Sequence, residues 1–174
     1  MKIAVISSSL NPDSASRRMA RSVAASYEAK DNVDVDWIDL QENELPLCDG
    51  GTAYGHPNTV EMSKRLESAD AFVIATPIYN YTIGSALKNL TELVGRGMSN
   101  KLVGFLVSAG GGMSYMSVMQ YANSLMLDFR VLVLPRFVYA TSGDWEDGTL
   151  GANLQGRLQE FEADFLSLAR KIAN

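Results

Sequence analysis

Residues 2–20 read KIAVISSSLNPDSASRRMA. Ile3–Ile6 is an unbroken apolar run, the signature of a strand buried on both faces. Three serines end it, and the chain then enters a helical pattern whose apolar positions Met19, Val23 and Tyr27 fall on one face. A strand that stops in hydroxyls and feeds a helix opens a parallel α/β unit, with a polar loop at the strand's carboxyl end.

The rest of the chain repeats that grammar. Ala71–Ala75, Leu102–Val107 and Val131–Leu134 are further continuous apolar runs, whereas VDVDWIDL (33–40) alternates Val33, Val35 and Trp37 with Asp34 and Asp36. Alternation marks a strand with one solvated side, as at a sheet edge. Helical stripes follow at Leu87, Leu90 and Val94, and at Leu154, Leu158, Phe161, Phe165 and Leu168. Five strands alternating with five helices predict a parallel sheet covered on both faces, in the order 2-1-3-4-5. Strand two then falls at an edge.

Whole-chain figures narrow the function. The 174 residues contain no linker-like stretch, so residues 1–174 are read as a single domain, with 47% hydrophobic and 20% charged residues. A net charge of −5 offers no basic excess for a phosphate backbone, which argues against nucleic acid as a partner. No stretch has the length and apolarity of a membrane span or signal peptide, so the expectation is a cytoplasmic protein without a membrane partner. One cysteine, Cys48, and one histidine, His56, argue against a disulfide, a zinc site or a cysteine–histidine pair.

Ligands of such sheets bind beyond the strands' carboxyl ends, at the switch point between strands one and three. The loops there read SSSLNPDS (7–14), TPIYNYTIGS (76–85) and SAGGGMSY (108–115). In the first, Ser9, Asn11, Ser14 and Ser16 surround a helix start whose free N–H groups favour an anion. Arg17, Arg18 and Arg21 oppose the helix dipole unless an anion reverses the sign, and Asp13 adds a negative charge. The competing reading makes Asp13 or Ser14 a simple helix cap and leaves the arginines solvated. The loop has neither Gly-x-Gly-x-x-Gly nor a P-loop ending, so a mononucleotide suits it better than a dinucleotide.

The second loop adds an identity. Pro77-x-Tyr79-Asn80 followed by Leu87-Lys88-Asn89, together with the spacing of Ser9, Ser14 and Ser16, resembles the NADPH-dependent FMN reductase family along nearly the whole chain. The resemblance implies a flavodoxin-like three-layer sandwich. It implies that Ser9, Asn11, Ser14 and Ser16 hold the FMN phosphate while Pro77, Ile78, Tyr79 and Asn80 line the isoalloxazine ring. Ser108, Gly110, Gly111 and Gly112 would approach the ring from another side, where missing Cβ atoms allow close backbone contact. Asn11, Ser16 and Gly84 stand where many members have arginine, asparagine and proline.

The activity implied is hydride transfer from the nicotinamide C4 of NADPH or NADH to the flavin N5, and onward to a small-molecule acceptor such as a flavin, quinone or azo compound. The flavin carries that chemistry, so no catalytic side chain and no metal are expected, and His56 and Cys48 read as surface and loop residues. The alternative is a flavodoxin-type FMN electron carrier that oxidises no nicotinamide. A receiver domain is disfavoured by Thr76-Pro77 at the end of strand three, and a hydrolase by the lack of Gly-x-Ser-x-Gly. Relatives commonly form homodimers or homotetramers. PRFVYATSGDWEDG (135–148) is a candidate cover or interface, while Met113, Met116, Met119 and Met126 read by default as core of a fourth helix.

Overall fold

The computed structural model describes residues 1–172. In chain order its larger elements are β1 (Lys2–Ser7), α1 (Ala15–Glu28), β2 (Asp34–Asp39), α2 (Pro57–Ser68), β3 (Ala71–Tyr79), β4 (Thr82–Ile83), α3 (Ser85–Val94), β5 (Leu102–Ser108), α4 (Val118–Phe129), β6 (Leu132–Val133), β7 (Val138–Ala140), β8 (Trp145–Glu146), β9 (Thr149–Leu150) and α5 (Ala152–Ile172).

Successive side chains of a strand point to opposite faces, and that alternation builds two cores from one sheet. Ile3, Val5, Val73 and Leu106 pack with Met19, Val23 and Tyr27 of α1 and Leu158, Phe161 and Phe165 of α5. Ala4, Ile6, Ile74 and Phe105 pack on the other side with Leu66 of α2, Leu87 and Leu90 of α3, and Leu125 of α4. The result is a three-layer sandwich. Gly104 lets α5 sit close, since a Cβ there would lie 2.7 Å from Phe161 Cζ and 2.8 Å from Phe165 Cδ2.

The parallel strands run β2-β1-β3-β5, and β6 and β7 both pair with β5. The expected order 2-1-3-4-5 holds once β6 and β7 are counted as one interrupted fifth strand. The expected run Val131–Leu134 is therefore corrected: only Leu132–Val133 pair there, beside the start of β5, and Val138–Ala140 resume beside its end. Pro135 lies in the gap, and a residue without an N–H cannot continue a ladder. That interruption carries the chain to the carboxyl end of the sheet, where the loops converge.

Candidate cofactor site

The first loop is held on all sides. Ser8 donates to Ala75 O twice, from its N–H and from its hydroxyl, each at 3.0 Å. Ser9 Oγ accepts from Asn11 N–H at 3.3 Å, and Asn11 Oδ1 accepts from Asp13 N–H at 3.0 Å, the local bonding typical of polar turn residues. Ser14 is the N-cap of α1: its backbone is extended and its hydroxyl accepts from Arg17 N–H at 3.1 Å. A hydroxyl that accepts in this way still has a proton to donate. Capping and anion binding are thus compatible at one side chain. Ser16 Oγ lies 3.0 Å from Ser14 Oγ and is fully buried behind it.

The three arginines separate. Arg17 turns to Asp39 at the end of β2 and to loop carbonyls. Arg21 stacks on Trp37, its guanidinium carbon 3.6 Å from the ring centroid. Arg18 lines the cleft, lying 4.3 Å over Trp145 and donating to Gly148 O at 2.8 Å. That cleft has a volume of about 410 Å³, and Ser9, Asn11, Ser14, Pro77, Ile78, Tyr79, Ser108 and Gly110 all face it. Asp13 faces it too and is exposed.

The second loop is shorter than its sequence suggests. Residues 76–79 extend β3, and the chain then reverses through Asn80 (φ 50°) and Tyr81 (φ 61°) so that Tyr79 pairs with Thr82. Two left-handed residues between antiparallel strands match a two-residue hairpin turn; asparagine suits that conformation, and tyrosine adopts it rarely. Pro77 is tolerated inside β3 because β1 has already ended at the Ser7–Ala75 pair, leaving β5 as the neighbour there.

A second hollow of about 340 Å³, lined by Asn80, Tyr81, Gly111 and Met113, shares Ile78, Ala109 and Gly110 with the cleft. The two hollows adjoin at these residues and are together called the trough. Added Cβ atoms at Gly110, Gly111 or Gly112 would meet nothing within 4 Å, and none of the three has positive φ. Among the described residues, then, neither folding nor packing demands glycine at these positions, and the space left open faces the trough at Gly110 and Gly111. Gly112 faces neither hollow; it starts the 3₁₀ segment Gly112–Ser117, which kinks at Ser114. Tyr139 anchors the glycine loop, donating its hydroxyl to Gly111 O at 2.5 Å and lying 2.8 Å from Ser114 Oγ. Tyr115 stacks on Phe137 at 4.9 Å, consistent with packing, whereas Tyr81 faces the trough.

Thr141, Ser142 and Trp145 complete the wall of the cleft, and sequence reasoning did not assign them to it. The signal was the segment 135–148, read as a candidate cover or interface; past the break at Pro135 it resumes pairing at Val138–Ala140, beside the end of β5, and its Thr141, Ser142 and Trp145 reach the cleft. Asp144 stiffens that cover. Burial disfavours its charge, but hydrogen bonds from the Thr141 N–H and hydroxyl, together with Arg157, outweigh this and hold its carboxyl below the ordinary range.

Other singled-out residues lie elsewhere. His56 caps α2, its Nδ1 accepting from Asn58 N–H at 3.2 Å. Cys48 Sγ lies 3.6 Å from the Tyr54 hydroxyl. Lys88 pairs with Glu92 at 2.6 Å in an exposed i,i+4 bridge, while Asn89 pins the preceding loop through Cys48 N–H and Pro46 O. Met113 and Met116 are not core as read from sequence. They precede α4 in the 112–117 turn, 88% and 60% exposed, because the chain has left the sheet face there. Among the described residues no group of three His, Cys, Asp or Glu is placed to hold a metal, and no helix is long and apolar enough to cross a membrane.

The donor set of the trough suits a planar group carrying one phosphate. Hydroxyls and the free N–H groups of α1 lie at one end, and backbone lies open at the other. The chain is also similar to known proteins. The NAD(P)H-dependent FAD/FMN reductase of Geobacillus thermodenitrificans (strain NG80-2) is 31% identical over 110 residues, which are 62% of this chain and 60% of that one. The chain thus spans less than two thirds of that relative's length. The NADPH azoreductase of Bacillus sp. (strain OY1-2) is 28% identical over 153 residues, 87% of this chain and 83% of its own. A solved oxidoreductase from Corynebacterium diphtheriae, 23% identical, superposes with a TM-score of 0.79 over 98% of this chain and 97% of its own, a likeness of fold. Residues 1–146 match the NADPH-dependent FMN reductase family, and the chain belongs to it.

Proposed function

We propose that the protein is an NAD(P)H-dependent FMN oxidoreductase that passes reducing equivalents from NADPH or NADH to a small-molecule acceptor of the flavin, quinone or azo class. The observation that carries this reading is that the hydroxyl-lined cleft at the start of α1 adjoins the hollow beside the open backbone of Gly110 and Gly111, the two sharing Ile78, Ala109 and Gly110. FMN held by these loops would supply the redox chemistry, hydride acceptance from a nicotinamide and electron return to the acceptor.

The chain's own residues position. Ser9 and Ser14, with the N–H groups at the start of α1, hold the phosphate, and Arg18 is the cation closest to hand. Ser16 acts from behind by orienting the Ser14 hydroxyl. Pro77, Ile78, Tyr79 and Asn80 form one wall of the ring site and Ser108, Gly110 and Gly111 the other, with Gly112 starting the turn beyond. Backbone dipoles along these loops favour charge on the ring's polar edge. Residues 1–174 act as one domain in this reading, in the cytoplasm. Exposed Tyr79, Tyr81, Met113 and Met116 around the ring end favour a homodimer or homotetramer that covers it.

The test is the visible spectrum of the FMN-loaded protein, followed by anaerobic addition of NADPH and then NADH. Bleaching within catalytic turnover times supports the enzyme. A bound flavin that neither nucleotide reduces, yet dithionite does, assigns the protein to the electron carriers instead.

A further inference from the structure

Arg17 sits in the first turn of α1, where a cation opposes the helix dipole unless a bound anion reverses the sign. The side chain does something else. Its Nε donates to Asp39 Oδ2 at 2.5 Å and one Nη to Asp39 Oδ1 at 3.2 Å, a forked pair with a carboxylate that is 2% exposed. The remaining donors go to backbone carbonyls of the first loop: Ser9 O at 2.7 Å, Asn11 O at 2.6 Å and Pro12 O at 3.1 Å. A guanidinium has five N–H donors, and these five acceptors use all of them. None is left for a ligand, and Asp39 cancels the charge.

Carbonyls drawn toward Arg17 are carbonyls kept away from an anion. Three lone-pair-bearing oxygens at positions 9, 11 and 12 would otherwise be free to rotate toward the cleft and repel a phosphate. We propose that Arg17, braced by Asp39, is the positioning residue of the phosphate loop: it holds these carbonyls out of the cleft in the unliganded protein and makes no contact with the phosphate itself. Ordering the loop before binding removes that cost from the binding step. A lysine keeps the charge but, lacking the planar fork, cannot bond Asp39 and three carbonyls together.

This inference rests on the cleft being the FMN phosphate site, and the experiment separates the two. FMN and riboflavin are titrated by fluorescence quenching into the wild type, Arg17→Lys and Arg17→Met, with amide hydrogen exchange of residues 9–16 followed in each flavin-free protein. A thermal midpoint confirms that each variant is folded. The expected result is that both variants lose FMN affinity by about tenfold or more, while riboflavin affinity changes less than about twofold. Exchange at residues 9–13 should rise in both. Wild-type FMN affinity in Arg17→Lys would overturn the proposal, because charge alone would then suffice; so would unchanged loop exchange in Arg17→Met. If the wild type binds riboflavin as tightly as FMN, the phosphate-site reading fails instead, and the exchange data still decide whether Arg17 orders the loop. Should Arg17→Met not fold, Arg17→Lys with Asp39→Asn carries the same comparison.

Discussion

The two ends of the trough are built on opposite plans. At the phosphate end the loop is tied down by hydrogen bonds: Ser8 is tied to Ala75, Ser9 and Asn11 close the turn, Ser14 caps α1, and Arg17 is saturated. At the ring end Gly110 and Gly111 have no neighbour within reach of a Cβ, and the wall opposite turns through two left-handed residues with exposed side chains. One end is prepaid in hydrogen bonds, and the other in empty space. A small charged group gains from fixed donors, whereas a flat ring gains from backbone it can approach closely.

The sharpest way to break this contrast is at Ser14. Its roles as cap and as phosphate donor can be separated, because aspartate is as good an N-cap as serine. Ser14→Asp should leave the thermal midpoint near the wild-type value while weakening FMN by about 2–3 kcal/mol or more, through a lost donor and an added like charge. Titration of FMN beside a melting curve checks both halves. Intact FMN affinity would reduce Ser14 to a cap.

Gly111→Val tests the other end. No atom within 4 Å opposes a Cβ at Gly111 and its φ is −157°, so the backbone is open to any residue. The expected outcome is unchanged stability with FMN occupancy or the anaerobic reduction rate down about tenfold, the effect of displacing a ring from its seat. A loss of stability instead would show that the glycines serve the fold.

How much of this was legible beforehand depends on range along the chain. Runs such as Ile3–Ile6 and Leu102–Val107 announce buried strands because both faces must be apolar, and the serine loop and Pro77-x-Tyr79-Asn80 are contiguous words. The break at Pro135 was visible, but not that pairing resumes at Val138, since a three-residue strand has too few residues to show a period. The use of Arg17 was hidden for a different reason. Its main partner, Asp39, lies on another strand, and nothing in either local pattern links them. Met113 and Met116 were misjudged because a methionine stripe looks alike whether it meets core or solvent.

A smaller effect should appear with acid. Asp144 holds the cover through Thr141 and Arg157, and its carboxyl lies below its ordinary range in the folded protein. A depressed acid stabilises the fold fully above its unfolded value, about 4, and that contribution is lost as pH falls through the lower folded value. The wild type should therefore lose stability relative to Asp144→Asn as the pH is lowered below about 4, with the two curves converging. Melting midpoints between neutral pH and the acid limit measure it. Parallel curves would remove Asp144 from the account of the cover.

The smallest expected change has the opposite sign. Gly84 is the N-cap of α3, with φ −63° and ψ 145°, and makes no side-chain cap bond. A Cβ there would meet Pro77 Cγ at 3.8 Å and the Tyr79 ring at 3.9 Å, both ordinary contacts. Serine fits that backbone, restricts the unfolded chain and supplies the missing acceptor, so Gly84→Ser should raise stability by about 0.4–1 kcal/mol. The new side chain would also press lightly on Pro77 and Tyr79, the wall of the ring end. If that wall works by being loosely held, flavin reduction slows as the melting temperature rises; if the glycine loop alone supplies the slack, the rate is unchanged. Measuring both in one variant tells which of the two walls is the yielding one.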